Sequence, residues 1–574
     1  MIRVFWYLTA RTVRNRVARE LRHLRSPRYV IAFLLGGGYV SLVLFPPGAT
    51  GAAPRAPNAE WVELVGAVAL AGVVAWGWVF GRERRVLTFA PAEVQFLFPA
   101  PITRRELIRY KLLRAQLVIL FNSVLWTVIL VRERIGVSPW LRAVSLWVLL
   151  STLQLHRLGA AFVRTSLAEH GMAGARHRIV SLLAVGTGVA ALALSVADAL
   201  PALAAAWARD IGAVFRTAGE IAERPLPAAL LFPFRLMIRP LAAGTLAVWL
   251  QAIGPAALLL ALHYVWVIRS DTAFEEAAAE ASLRRVRSIE ARPASGPPGG
   301  SRRRVSAPLF TLPPTGWPEL AITWKNLVAV MRLRRVANAL IVFGAAAGIV
   351  GVVSFRPEST VGEIIGLLAA MWAGFLLLVG PQWIRNDLRG DLRKLDLLRS
   401  YPLTGAAVIR AEVAASTIVL SVAQLALLLL AYLATLGHPT FDLTLPQRTA
   451  MLAAAIAVLP AVNLLALLVQ NAGALLFPTW VHLGSGRPGG IEALGQNVLT
   501  MLATAALLVM LLVAPAILAA GAVLLLRPAL GLWALAPGIG CGLAGIAVEA
   551  ALLIDWLGRV FDRTDPSATG LEMA

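Results

Sequence analysis

The most regularly spaced residues of this chain suit recognition, not bond-making. Glu93 to Arg109 reads EVQFLFPAPITRRELIR, and Lys394 to Arg410, 301 residues further on, reads KLDLLRSYPLTGAAVIR. Leu97, Pro101, Thr103, Ile108 and Arg109 fall on Leu398, Pro402, Thr404, Ile409 and Arg410. Val94, Phe96, Ile102 and Leu107 fall on Leu395, Leu397, Leu403 and Val408. In the first copy Val94, Leu97 and Phe98 stand at i, i+3 and i+4, one apolar face of a short helix beginning after Pro91. Pro99 and Pro101 end that helix, and Thr103 with Glu106 makes a capping box for the next. The second copy has Ala407 where the box needs Glu or Gln. The expected product is a rigid elbow carrying an apolar ridge flanked by arginine, a shape against which a soluble protein can press. A loop held to lipid by arginine is the simpler alternative, but it does not account for the shared Pro-x-Thr spacing.

Residues for covalent or metal chemistry do not assemble. A P-loop needs Gly-Lys-Ser/Thr, and the three lysines follow Tyr110, Trp324 and Arg393. The chain is therefore not expected to bind ATP by that route or to be an enzyme. His23, His156, His170, His177, His263, His438 and His482 include no HExxH and no close pair at ligand spacing, so neither metal nor cofactor is expected. Arg157 beside His156, Asp198, His263, Glu412 and Glu549 lie within or near apolar stretches, where ionisable groups are functional candidates. Most stand within a turn or two of a span end, where snorkelling to water suffices. Glu549 is the deepest, and the one candidate to line a pathway.

These residues must be positioned by membrane helices. The chain is 58% hydrophobic and 15% charged with a mean hydropathy of +0.74, against roughly 25% charged residues in soluble domains. Apolar runs of helix length recur without barrel alternation, so the predicted fold is all-α and polytopic. About twelve transmembrane helices are expected, at 29–45, 60–80, 115–131, 140–163, 179–199, 244–268, 337–355, 363–382, 411–435, 449–471, 497–526 and 530–556. The net charge of +22 suggests nucleic acid until its distribution is considered. With the N-terminus inside, the segments on that side hold 40 of the 53 lysines and arginines. That asymmetry is the positive-inside rule, with anionic inner-leaflet lipid as partner and no nucleic acid. Both termini are placed in the cytoplasm. The basic stretch before the first apolar run spans 28 residues, too long for a signal peptide, and Cys541 alone forms no intrachain disulfide.

The organisation is two six-span halves related as a parallel repeat: 1–268, a cytoplasmic linker at 269–317, and 318–574. Residues 1–28 and Trp317–Arg335 each read as a basic amphipathic helix on the inner surface. The linker opens with a short helix from Phe274 and continues through a Pro/Gly/Ser/Arg stretch, Arg292–Arg304, that cannot bury a core. The segment 200–243 is the one long external connection, with a polar helix at the surface and an apolar tract around Leu230–Phe234 dipping into the interface.

The run Pro91–Leu117 (PAEVQFLFPAPITRRELIRYKLLRAQL) resembles the signature loop of ABC exporter permeases, membrane subunits related to type-two ABC transporters. Asp271–Ala281, Gly316–Asn326 and Phe477–Asn497 are similar to the same family. The resemblance implies separate cytoplasmic ABC ATPase subunits, two for the two halves, docking on the 91–114 and 392–410 loops. It assigns coupling to Glu93, Val94, Phe96, Leu97, Phe98 and Arg104, and to Lys394, Leu395, Leu397, Leu398 and Arg399. The expectation is a permease subunit of an exporter in a bacterial cytoplasmic membrane. Two other classes stay open: a polytopic membrane glycosyltransferase or polymerase using Asp210, Glu220 and Glu223, and an ion-coupled secondary transporter.

Overall fold

The computed structural model describes residues 59–80, 104–129, 137–169, 197–209, 211–269, 315–331, 360–392, 395–436, 443–477 and 494–564, with scattered positions elsewhere. Among these the secondary structure is helical, with no strand. A bilayer offers its backbone no water, and a helix satisfies every N–H and C=O within one segment. Eight described stretches are long and apolar enough to cross a membrane, and the last, Asn497–Arg563, contains two helices. Nine of the expected spans thus have helices; 29–45, 179–199 and 337–355 fall largely outside the described residues, as do the linker helix from Phe274 and the stretch Arg292–Arg304. The chain divides into two compact units, Met1–Arg302 with Gly489–Gly495, and Arg303–Pro488 with Gln496–Ala574.

In the first unit the helices are α1 (Ala59–Phe80), α2 (Arg104–Ile129), α3 (Pro139–Glu169), α4 (Leu200–Arg209), α5 (Ile211–Ala222), α6 (Pro225–Ala242) and α7 (Leu246–Arg269). The segment 200–243 is helical through most of its length. Its apolar tract forms α6, which packs along α1 and contacts α3 and α7. Glycine at position 66 makes this possible, since a Cβ there would lie 2.9 Å from the Ile238 side chain. Glu63 bonds Arg239 at 3.1 Å, and Trp61 stacks edge-on against Phe215 of α5 at 4.0 Å between centroids. Glu223 is held by Arg235 at 2.6 Å.

At their other ends α1, α3 and α7 meet in a chain of ring hydrogen bonds. Trp78 Nε1 lies 3.1 Å from His156 Nε2, His156 Nδ1 lies 3.2 Å from His263 Nε2, and His263 Nδ1 lies 2.7 Å from the Leu259 carbonyl. An indole can only donate, so His156 accepts at Nε2 and carries its proton on Nδ1. His263 then accepts at Nε2 and donates from Nδ1. His156 and His263 are therefore tied to each other within the helix packing. Trp266 covers the pair and presses on Gly159, where a Cβ would come within 2.6 Å of its ring. Gly159→Val should expel that ring, costing about 1–3 kcal/mol. A lowered melting temperature of the purified protein, partly recovered in Gly159→Val/Trp266→Leu, is the expected result.

The second unit comprises α8 (Pro318–Met331), α9 (Thr360–Trp383), α10 (Leu388–Asp391), α11 (Leu395–Arg399), α12 (Gly405–Ala434), α13 (Leu445–Leu476), α14 (Leu494–Leu530) and α15 (Leu535–Arg563). Helix α12 is the centre, packed by α8, α9, α13 and α15. Its core gathers Leu388, Leu392, Val408, Ile409, Leu465, Leu467 and Phe561. Outward apolar residues such as Trp372, Val422 and Leu525 present a lipid-compatible surface.

Candidate functional site

The second copy of the repeated motif is an elbow fixed from three sides. Helix α11 runs only from Leu395 to Arg399, and a turn through Tyr401 leads to Thr404, whose side chain accepts from Ala407 N at 3.3 Å and starts α12. Threonine alone suffices as the cap, so the missing glutamate of the capping box costs the second copy only the reciprocal bond. The guanidinium of Arg399 donates to the carbonyls of Asp562 and, at 2.9 Å, Thr564, satisfying the exposed end of α15. Gly405 and Gly558 bring the two backbones into contact; a Cβ on Gly405 would stand 2.3 Å from the Gly558 carbonyl. The Asp562 carboxylate accepts from Gly405 N at 3.4 Å, a negative charge at a helix N-terminus.

This geometry corrects the expected ridge. Leu395 and Leu398 are only 2% and 3% exposed and point into the core with Leu392 and Ile409. With the core on one side of so short a helix, every third or fourth residue must face it. What faces outward is Leu397 at 53% and Tyr401 at 40%, with Ser400 and Pro402 also exposed. Arg399 is exposed but committed to the end of α15. Glu93, Val94, Phe96, Leu97, Phe98 and Lys394 lie outside the described residues, and Arg104 is the first residue of α2.

Behind the elbow, residues 384–392 are tied into the unit by a buried ion pair that sequence reasoning missed. The Asp387 carboxylate accepts from Arg389 Nε at 2.9 Å and from a terminal guanidinium nitrogen at 2.6 Å, and both residues are almost wholly buried. Arg389 also donates to Gln470 Oε1 at 3.1 Å, and Gln470 to Thr504 Oγ1 at 2.6 Å. Asn471 donates to Asp387 at 3.2 Å. The pair therefore links the end of α9 to α13 and α14. The only sequence signal was an Asn-Asp-x-Arg run, which reads as cytoplasmic.

A second cluster clips α8 to α12. Glu412 is 0% exposed and does not snorkel; it accepts from Asn326 Nδ2 at 2.7 Å and pairs with Lys325 at 3.4 Å. Lys325 also bonds Asp391, and the Asn386 amide donates to the Asn326 carbonyl. Burial disfavours the Lys325 ammonium, but the Glu412 and Asp391 carboxylates outweigh that and hold it above the usual lysine value. The basic helix before the seventh expected span is thus bonded into the unit, with Thr323 Oγ1 donating to the Ala411 carbonyl at 3.0 Å. Glu549, on α15, is partly exposed; its Oε2 is enclosed and has no hydrogen-bond partner among the described residues. Those residues hold no group of three or more metal-ligating side chains.

The architecture defines an all-α polytopic membrane protein. Residues 2–194, about the first third of the chain, match the family model described as "Putative ABC exporter". The loop whose residues resemble that family, Pro91–Leu117, falls within the matched range. No curated protein and no solved structure matches the chain.

Two substitutions test what holds the site. Arg389→Met alone strands the Asp387 charge and should cost about 3–5 kcal/mol, whereas Asp387→Leu/Arg389→Met should melt close to the parent. Gly558→Val should lower the melting temperature because both facing atoms are backbone and cannot move aside.

Proposed function

We propose that this chain is the membrane-spanning permease subunit of an ABC exporter, driven by separate cytoplasmic ATPase subunits that dock on the 91–114 and 392–410 loops. The supporting observation is the elbow of the second copy: its backbone is clamped to α15 while the side chains of Leu397 and Tyr401 stay outward and exposed. An apolar pair on a rigid mount is what a docking partner can grip without first ordering it. Two ATPase subunits fit two copies of the motif, and hydrolysis belongs to those subunits, not to this chain. ATP binding must favour one arrangement of the spans over another for docking to become transport. The 384–392 segment, bonded to α8, α13 and α14, is suited to carry a displacement of the elbow into the spans. The membrane is the cytoplasmic one with both termini inside, a placement supported by the distribution of lysine and arginine.

The experiment is co-purification with an ATPase encoded beside this chain. Leu397→Asp/Tyr401→Asp combined with Leu97→Asp should remove most of the association while the melting temperature stays within a few degrees. Leu398→Asp is a control for burial and should destabilise the protein instead. Undiminished association of the triple variant would overturn the docking assignment.

A further inference from the structure

The docking reading leaves one feature of the second unit unused, a polar cluster in the middle of two spans. Ser421 and Gln424 lie near the centre of α12 and Asn463 near the centre of α13, all of them buried. Asn463 Nδ2 donates to Ser421 Oγ at 2.9 Å and to Gln424 Oε1 at 2.7 Å, which uses both of its hydrogens. Gln424 Nε2 and Asn463 Oδ1 are buried and have no partner among the described residues.

Amide orientation does not remove the deficit. If both amides are turned over, Gln424 Nε2 and the Ser421 hydroxyl donate to Asn463 Oδ1, but the Gln424 carbonyl and the Asn463 amino group become the orphans. Turning only one sets like atoms against each other. In both consistent arrangements one amino group and one carbonyl remain unpaired, and a single turn leaves more. Hydrogen bonding between spans explains the bonds that are made; it does not explain the two that are missing, which are costly away from water. Pro460, within α13 and three residues before Asn463, deprives the Ile456 carbonyl of its helical donor, so this stretch is also weakened as a helix. Gln470, seven residues after Asn463 and on the same helix face, continues the polar line to Arg389 beside the elbow.

We propose that Ser421, Gln424 and Asn463 form a recognition point on the transport path for a neutral group that both donates and accepts hydrogen bonds, a hydroxyl or carboxamide of the cargo. This rests on the exporter reading. None of the three residues carries charge, so a cationic or anionic cargo group would find no counter-charge there. The point is closed in this arrangement, and cargo supplies the two missing bonds when the spans part.

The test needs no ATPase, so its failure is distinct from loss of ATPase association. Cys541 is the chain's one cysteine, and Cys541→Ala gives a thiol-free background. In that background, Ser421→Cys and Leu420→Cys are exposed in membranes to 2-(trimethylammonium)ethyl methanethiosulfonate. Leu420 is equally buried but packs on Gly380 of α9. Labelling of Ser421→Cys but not Leu420→Cys is expected. Decanamide should slow it about threefold at twice its Kd, and N,N-dimethyldecanamide, which lacks the N–H, should not. No labelling at 421, equal labelling of both, or no difference between the two amides overturns the proposal. If Ser421→Cys melts below its parent, Thr417→Cys, one helical turn earlier on the same face of α12, is the reporter, read by the same outcomes.

Discussion

Polar groups buried in a protein interior have no water to fall back on, and this constraint organises the second unit. Asp387 and Arg389 could not be buried singly; each is tolerable because the other, with Gln470 and Asn471, satisfies it. Glu412 is likewise buried with Lys325 and Asn326 reaching it from α8. Those bonds decide where α9 stops, where α8 lies, and where the chain must emerge as the elbow. Helix packing alone would leave 384–392 free to move; the buried charges fix it.

The elbow follows from that placement. Once Leu388, Leu392, Leu395 and Leu398 are drawn into one core, the short helix α11 can show only its opposite face. The glycine contact between α12 and α15 and the arginine cap on α15 then remove its remaining freedom. A surface so constrained loses little entropy when bound, which is the physical sense in which it suits a motor subunit. The first unit uses the same logic at a different point, where Trp78, His156 and His263 satisfy one another in series.

Hydropathy made the spans legible, because apolar length is a local property. The helix start at Thr404 was legible too, since capping is decided within one turn. The face shown by α11 was not: Leu395, Leu397 and Leu398 are chemically alike, and only the neighbours that surround them decide which is buried. Glu412 was read as snorkelling because its partner Lys325 is 87 residues away in sequence. The histidine pair, 107 residues apart, escaped notice for the same reason. In the segment 200–243 Pro233 and Pro240 sit inside α6, packed against other helices, a continuity that the apolar tract alone did not reveal.

The central claim is that the outward face of the elbow meets an ATPase. Site-specific photocrosslinking from p-benzoylphenylalanine at position 397 tests it most directly, with the adduct identified by mass spectrometry. The account predicts an adduct containing peptides of a Walker A ATPase, with Leu398 replaced by the same photoprobe giving none. Adducts only to lipid, or to peptides of this chain, would contradict it.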